Sequence, residues 1–177
     1  HIIDIVINSK VQRPGVCNAL ETLLINSQIY QDLGSLIIEK LLENEVELFV
    51  DKTIKEDFPN LNLANESHYE TEFLDLKLAV KVVDSVDQAI EHIKVYSSGH
   101  TEAILTESKE VADTFAKSID SSVIFINSST RFTDGEMFGF GSEIGISTQK
   151  LHVRGPMGLE ALTNERYVVT GEGTVRE

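Results

Sequence analysis

Apolar positions along the chain fall into short groups whose spacing alternates between helical and extended. Ile2, Ile3, Val6 and Ile7 lie on one helical stripe. With no capping residue ahead of them, they read as the end of a helix whose start lies outside the chain. After Arg13-Pro14-Gly15, the residues Leu20, Leu23 and Leu24 predict a short helix, opened by Asn18 with Glu21 three positions on as an N-cap pair. Leu33, Leu36, Ile37 and Leu41 recur at spacings of three and four and predict a second helix that ends near Asn44. Glu47 to Val50 reads as a short strand. The polar stretch from Asp51 to Tyr69 contains Pro59 and several asparagines, and reads as mostly irregular surface.

In the second half of the chain the alternation is clearer. Leu76 to Val83 predicts a strand, and Ser85-Val86-Asp87-Gln88 is a capping box that opens a helix with Val86, Ala89, Ile90 and Ile93 on one face. Ala103 to Leu105 follows as a strand, Val111, Ala112, Phe115 and Ile119 line a helix, and Val123 to Ile126 predicts a fully buried strand. Strands alternating with helices give an α/β layer structure with a largely parallel sheet flanked by helices. From Asn127 onward the texture changes. Gly135, Gly139, Gly141, Gly145, Gly155 and Gly158 crowd a region with few apolar runs, as where backbone passes close to a ligand or to other backbone. The organisation expected is therefore an α/β domain over residues 1–127 and a glycine-rich loop with a C-terminal segment over 128–177. In the latter, Tyr167 to Val169 forms a closing strand that pairs outside this chain.

Charge narrows the partners. The chain of 177 residues carries 15 Lys and Arg against 29 Asp and Glu, a net charge of −14, which repels nucleic acid. Its apolar runs reach about four residues, against the roughly 18 or more that a membrane span needs. A soluble, cytoplasmic protein follows, with a small-molecule substrate as its partner and neither nucleic acid nor membrane. Five histidines without an H-x-x-x-H pair and a single cysteine indicate no metal site. Gly139, Gly141 and Gly145 form G-x-G-x-x-x-G, one residue longer than the dinucleotide fingerprint and without a strand directly before it, so it is not a Rossmann motif.

Cys17 is the candidate that decides the chemistry. It lies between the Pro14-Gly15 turn and the helix expected from Asn18, where unpaired amides and a helix dipole favour a thiolate and can hold an oxyanion. Lys10 and Arg13 add positive charge nearby in sequence. A buried cysteine acting as a small hydrophobe is the other reading, and spacing alone supports both.

Three long motifs separate them. Asn8-Ser9-Lys10-Val11-Gln12-Arg13-Pro14-Gly15-Val16-Cys17-Asn18-Ala19 resembles the active-site segment of the γ-glutamyl phosphate reductase (glutamate-5-semialdehyde dehydrogenase) family, of the aldehyde dehydrogenase superfamily. Val86 through Ser98-Gly99-His100-Thr101-Glu102-Ala103-Ile104 resembles that family's signature. Asn127-Ser128-Ser129-Thr130-Arg131-Phe132-Thr133-Asp134-Gly135 resembles a third segment, running on to Lys150 and to Arg154-Gly155-Pro156-Met157-Gly158. The resemblance implies an aldehyde-dehydrogenase-like catalytic domain with Cys17 as nucleophile. It also implies NADPH-dependent reduction of L-glutamyl 5-phosphate to L-glutamate 5-semialdehyde in proline biosynthesis, through a cysteine thioester. In that family a nucleotide-binding part precedes the catalytic segment. This chain then resembles the catalytic domain plus C-terminal segment, lacks most of the NADPH site and is inactive alone, while the complete enzyme is a homo-oligomer. Another aldehyde dehydrogenase substrate, or a non-catalytic assembly module, are the alternatives.

The resemblance also assigns candidates around the nucleophile. Arg13 and Asn18 flank Cys17 and suit substrate binding, Arg13 for the leaving phosphate. His100 either orients substrate or satisfies backbone groups of its loop. Arg131 suits the substrate's α-carboxylate or phosphate, with a surface salt bridge as the bland alternative. Glu72 is similar in position to the superfamily glutamate that contacts the nicotinamide ribose, although Asp75-Leu76-Lys77 follows where the wider superfamily has Gly-Pro-Val.

Overall fold

The computed structural model of the chain describes residues 1–142, 144–150 and 153–176. The amphipathic stripe at the start forms helix α1 (Ile2–Val11). Strand β1 (Thr22–Asn26) follows, and then a continuous helical run over 27–43 that opens with Asn26 accepting from Gln28 N. The run passes through a π turn at Tyr30–Gly34 into α2 (Ser35–Glu43), whose Ile37, Ile38 and Leu41 are buried. Next come β2 (Glu47–Val50), α3 (Lys52–Asp57), β3 (Asn62–Leu63) and α4 (Glu66–Glu70). The second half supplies β4 (Lys77–Val83), α5 (Val86–Tyr96), β5 (Thr101–Ile104), α6 (Lys109–Ser118) and β6 (Val123–Ile126). A 3-10 turn at Thr130–Phe132 and the small antiparallel pair β7 (Ile144–Ile146) and β8 (Gly155–Met157) complete it.

The expected α/β class is present. Four parallel strands stand in the order β1-β4-β2-β3. Central β4 has three consecutive residues, Leu78, Ala79 and Val80, wholly buried, as a parallel strand covered on both faces requires. Ile25, Tyr30, Ile38, Leu41, Leu48 and Ile54 pack around it. A second parallel pair, β5 and β6, carries a smaller core of Ile90, Phe115 and Ile119 under α5 and α6. The box at the start of α5 is half formed. Gln88 N donates to Ser85 Oγ, while Gln88 Oε1 accepts from Asp84 N rather than from Ser85.

Four expectations differ. The short helix opened by Asn18 is strand β1, because Thr22-Leu23-Leu24-Ile25 finds an open edge of β4 in register with Ala79 to Val83, and a short apolar run fits either state until a partner is present. The stretch 51–69 is not mostly irregular, since α3, β3 and α4 lie in it. Val123 to Ile126 is only partly buried, with Ile126 45% exposed, because α5 and α6 cover one face of that pair. Tyr167 to Val169 forms no strand and is exposed. Upstream of it, Arg154 and Lys150 both pair with Asp120, which ties the β7–β8 region to the end of α6.

Candidate active site

Cys17 lies in the loop between α1 and β1 and is exposed. The loop is pinned at its base, where Ala19 N donates to Val16 O and Leu20 N donates back to Ser9 O, both at 2.9 Å. With β1 in place of a helix, no helix begins at Cys17, and the dipole part of the expectation for its thiol does not apply. Lys10 likewise turns away. Its ammonium is fully buried and donates to Glu21 Oε2 at 3.0 Å, while Glu21 Oε1 accepts from Leu74 N. Burial pulls Lys10 below the usual lysine range and pushes the Glu21 carboxyl up, and their mutual attraction opposes both shifts. Cys17 itself opens onto a cavity of about 770 Å³ whose wall also includes Glu72, His100, Thr101, Ser128 and Thr130.

The glycine-rich side packs directly against this loop. Asn18 is 6% exposed, and both ends of its amide are used. Its Nδ2 donates to Thr133 O at 2.6 Å, and its Oδ1 accepts from Arg131 Nη1. Arg131 Nε donates to Gln12 Oε1 at 2.7 Å, so the guanidinium straddles the cysteine loop rather than an acidic surface partner. Below it, Ser129 Oγ donates to Asn8 Oδ1 at 2.7 Å and accepts from Ser9 Oγ at 3.1 Å. Residues some 120 positions apart are thus brought together, and Asn18 acts here as a buried tie.

His100 stands at the start of β5, after Gly99 in left-handed backbone at φ 71°. Its Nδ1 lies 2.7 Å from Thr101 Oγ1, which lies 2.9 Å from Thr133 Oγ1. Two positions on, Glu102 accepts from Ser97 Oγ and from Ser121 Oγ, and burial pushes its carboxyl up. Glu72 and Arg13 are exposed, Glu72 on the wall it shares with Cys17. Asn127, at φ 54°, closes the turn after β6 by exchanging two side-chain hydrogen bonds with the Thr106 backbone. Sequence reasoning missed the Lys10–Glu21 pair, the Asn8–Ser9–Ser129 cluster and Thr133. Their only local signal is a polar residue where a core-facing position is due. Among the described residues no cluster of three or more His, Cys, Asp or Glu is placed to hold a metal ion, and no helix is long and apolar enough to cross a membrane.

No family model matches the chain. Individual proteins do. The γ-glutamyl phosphate reductase of Thermoanaerobacter sp. is 53% identical over 174 residues, covering 98% of this chain and 42% of that protein. The crystal structure of γ-glutamyl phosphate reductase from Thermotoga maritima is 49% identical and superposes with a TM-score of 0.91 over 99% of this chain and 42% of that one. The chain therefore spans about two fifths of the length of these relatives. More distantly, an engineered glycolyl-CoA reductase with bound NADP+ is 15% identical and shares the fold with a TM-score of 0.54 over 83% of this chain and 41% of that one. Sequence identity near one half over nearly every residue, on a superposable backbone, makes the chain the counterpart of about two fifths of the γ-glutamyl phosphate reductases it matches, with the aldehyde dehydrogenase fold.

Proposed function

We propose that this chain carries the nucleophile of a cytoplasmic, NADPH-dependent reductase that converts L-glutamyl 5-phosphate to L-glutamate 5-semialdehyde and phosphate, a step of proline biosynthesis. The observation that carries this reading is Cys17, exposed on a braced loop and facing a cavity large enough for substrate and nicotinamide together. Its thiolate attacks the acyl carbonyl, the C–S bond forms, and the C–O bond to phosphate breaks with its electron pair leaving on phosphate. NADPH, when bound, supplies the hydride that reduces the thioester, after which the C–S bond breaks and the thiolate returns.

The remaining residues serve binding. Arg13 suits the leaving phosphate, and Arg131 supplies positive charge on the far side of the same loop for the α-carboxylate. Local cations matter because a net charge of −14 opposes an anionic substrate. Glu72, on the cavity wall, fits the hydroxyls of a nicotinamide ribose, and the glycine-rich loop within 128–177 serves the substrate. The test is Cys17→Ser in the protein that carries this chain. Turnover should fall by about a thousandfold or more, and mass spectrometry of the parent incubated with the acyl phosphate without NADPH should find a glutamyl group on Cys17. Turnover within tenfold of the parent and no adduct would remove the nucleophile.

A further inference from the structure

Thr133 sits where the two sides of the site meet, and the reaction above makes no use of it. It is 1% exposed, and its polar groups are all engaged. The amide donates to Thr130 O at 3.1 Å, closing the short turn that presents Arg131. The carbonyl accepts from Asn18, the neighbour of Cys17, at 2.6 Å. The hydroxyl lies 2.9 Å from Thr101 Oγ1, which lies 2.7 Å from His100 Nδ1. One buried residue therefore holds the nucleophile's loop through its backbone and the imidazole's strand through its side chain.

A hydroxyl in such a place has a directional task. Valine has the same shape as threonine, so packing alone would accept it, and it would avoid desolvating a polar group. With Thr133 Oγ1 present, the rotation of the Thr101 hydroxyl is restricted, and its remaining donor or acceptor capacity is aimed at His100 Nδ1. The imidazole is then held in one orientation relative to Cys17. We propose that Thr133 is a positioning residue that fixes His100 against the Cys17 loop through Thr101, so that a substrate bound at Cys17 meets the ring in one pose. This rests on the reading of Cys17 as the nucleophile.

The experiment uses Thr133→Val, Thr133→Ser and Thr101→Val in the protein that carries this chain, with Cys17→Ser alongside. The readouts are kcat and KM for glutamyl phosphate and the rate of Cys17 alkylation by iodoacetamide. Thr133→Val and Thr101→Val should each lower kcat/KM by about fivefold or more. Thr133→Ser, which keeps the hydroxyl, should stay within twofold of the parent. Alkylation should stay within twofold in all three, because Asn18 is held by a backbone carbonyl that the substitutions leave in place. Should Thr133→Val fail to fold, Thr101→Val breaks the same contact from the other strand and decides the matter. The proposal is overturned if the valine variants match the parent, if Thr133→Ser is as poor as Thr133→Val, or if alkylation falls together with kcat/KM. Retained turnover in Cys17→Ser sinks the nucleophile reading and this proposal with it, whereas an inactive Cys17→Ser beside parent-like valine variants sinks the role of Thr133 alone.

Discussion

His92 shows what a single buried side chain does to the pH response of the fold. It is 7% exposed on α5, its ring lies edge-on to Tyr69 and tilted against Tyr96, and its Nε2 is buried without a hydrogen-bond partner. Burial, aided by the charge of Lys81, lowers its pKa to about 4. The unfolded chain takes up this proton below about 6.5, whereas the folded chain does so only below about 4. Stability from this group is therefore fully present above pH 6.5 and is lost as the pH falls through that window, by roughly 3 kcal/mol when the loss is complete. Urea midpoints at pH 7 and pH 4.5 should fall further apart in the parent than in His92→Leu. Equal differences in the two proteins would show that the imidazole contributes nothing. Neither His92 nor Lys10 is recognisable as buried from its neighbours in sequence, since each is a polar residue on a helix whose partners come from other elements.

At the scale of elements, local chemistry was most legible where a cap and a stripe coincide. Ser85 accepts from the amide three residues on, and the apolar face of α5 follows directly behind it; α6 was legible from its stripe alone, and the structure adds Ser108 as its cap. Asp51 shows a cap with a second, tertiary duty. Its Oδ1 accepts from Ile54 N at 3.0 Å to start α3, while Oδ2 accepts from Val82 N at 2.8 Å on β4. Asp51→Ala removes both acceptors and should cost about 2 kcal/mol or more, read as a lowered urea midpoint. Asp51→Asn keeps one acceptor oxygen and should recover part of the loss. A loss below about 0.5 kcal/mol in Asp51→Ala would mean that water replaces both contacts. The same stretch shows why α3, β3 and α4 escaped the polarity pattern. They are two to six residues long, and only Ile54 among them is wholly buried.

At the scale of the whole molecule, the chain covers 42% of the relatives it matches, and Glu72 is the one residue proposed above to meet the cofactor. The chain by itself is accordingly expected to oxidise no measurable NADPH with glutamyl phosphate, while Cys17 still alkylates. Turnover of about 1 per second or more by the chain alone would place a complete cofactor site within these residues.

Taken alone, the sequence determined the alternation of helix and strand, the α/β class, the strand at Leu76 to Val83 and the identity of the candidate nucleophile. These rest on periodicity, capping and motif, all of which act within a few residues. Only the tertiary structure decided that Thr22 to Asn26 is a strand, that Lys10 points inward to Glu21, and that Asn18 and Arg131 clasp each other beside Cys17. It also decided that Thr133 joins the cysteine loop to His100. Each of these depends on a partner supplied from far along the chain or across a sheet. A short apolar run chooses strand over helix when an open parallel edge can take its backbone hydrogen bonds, and a polar side chain goes inside when another polar group meets it there.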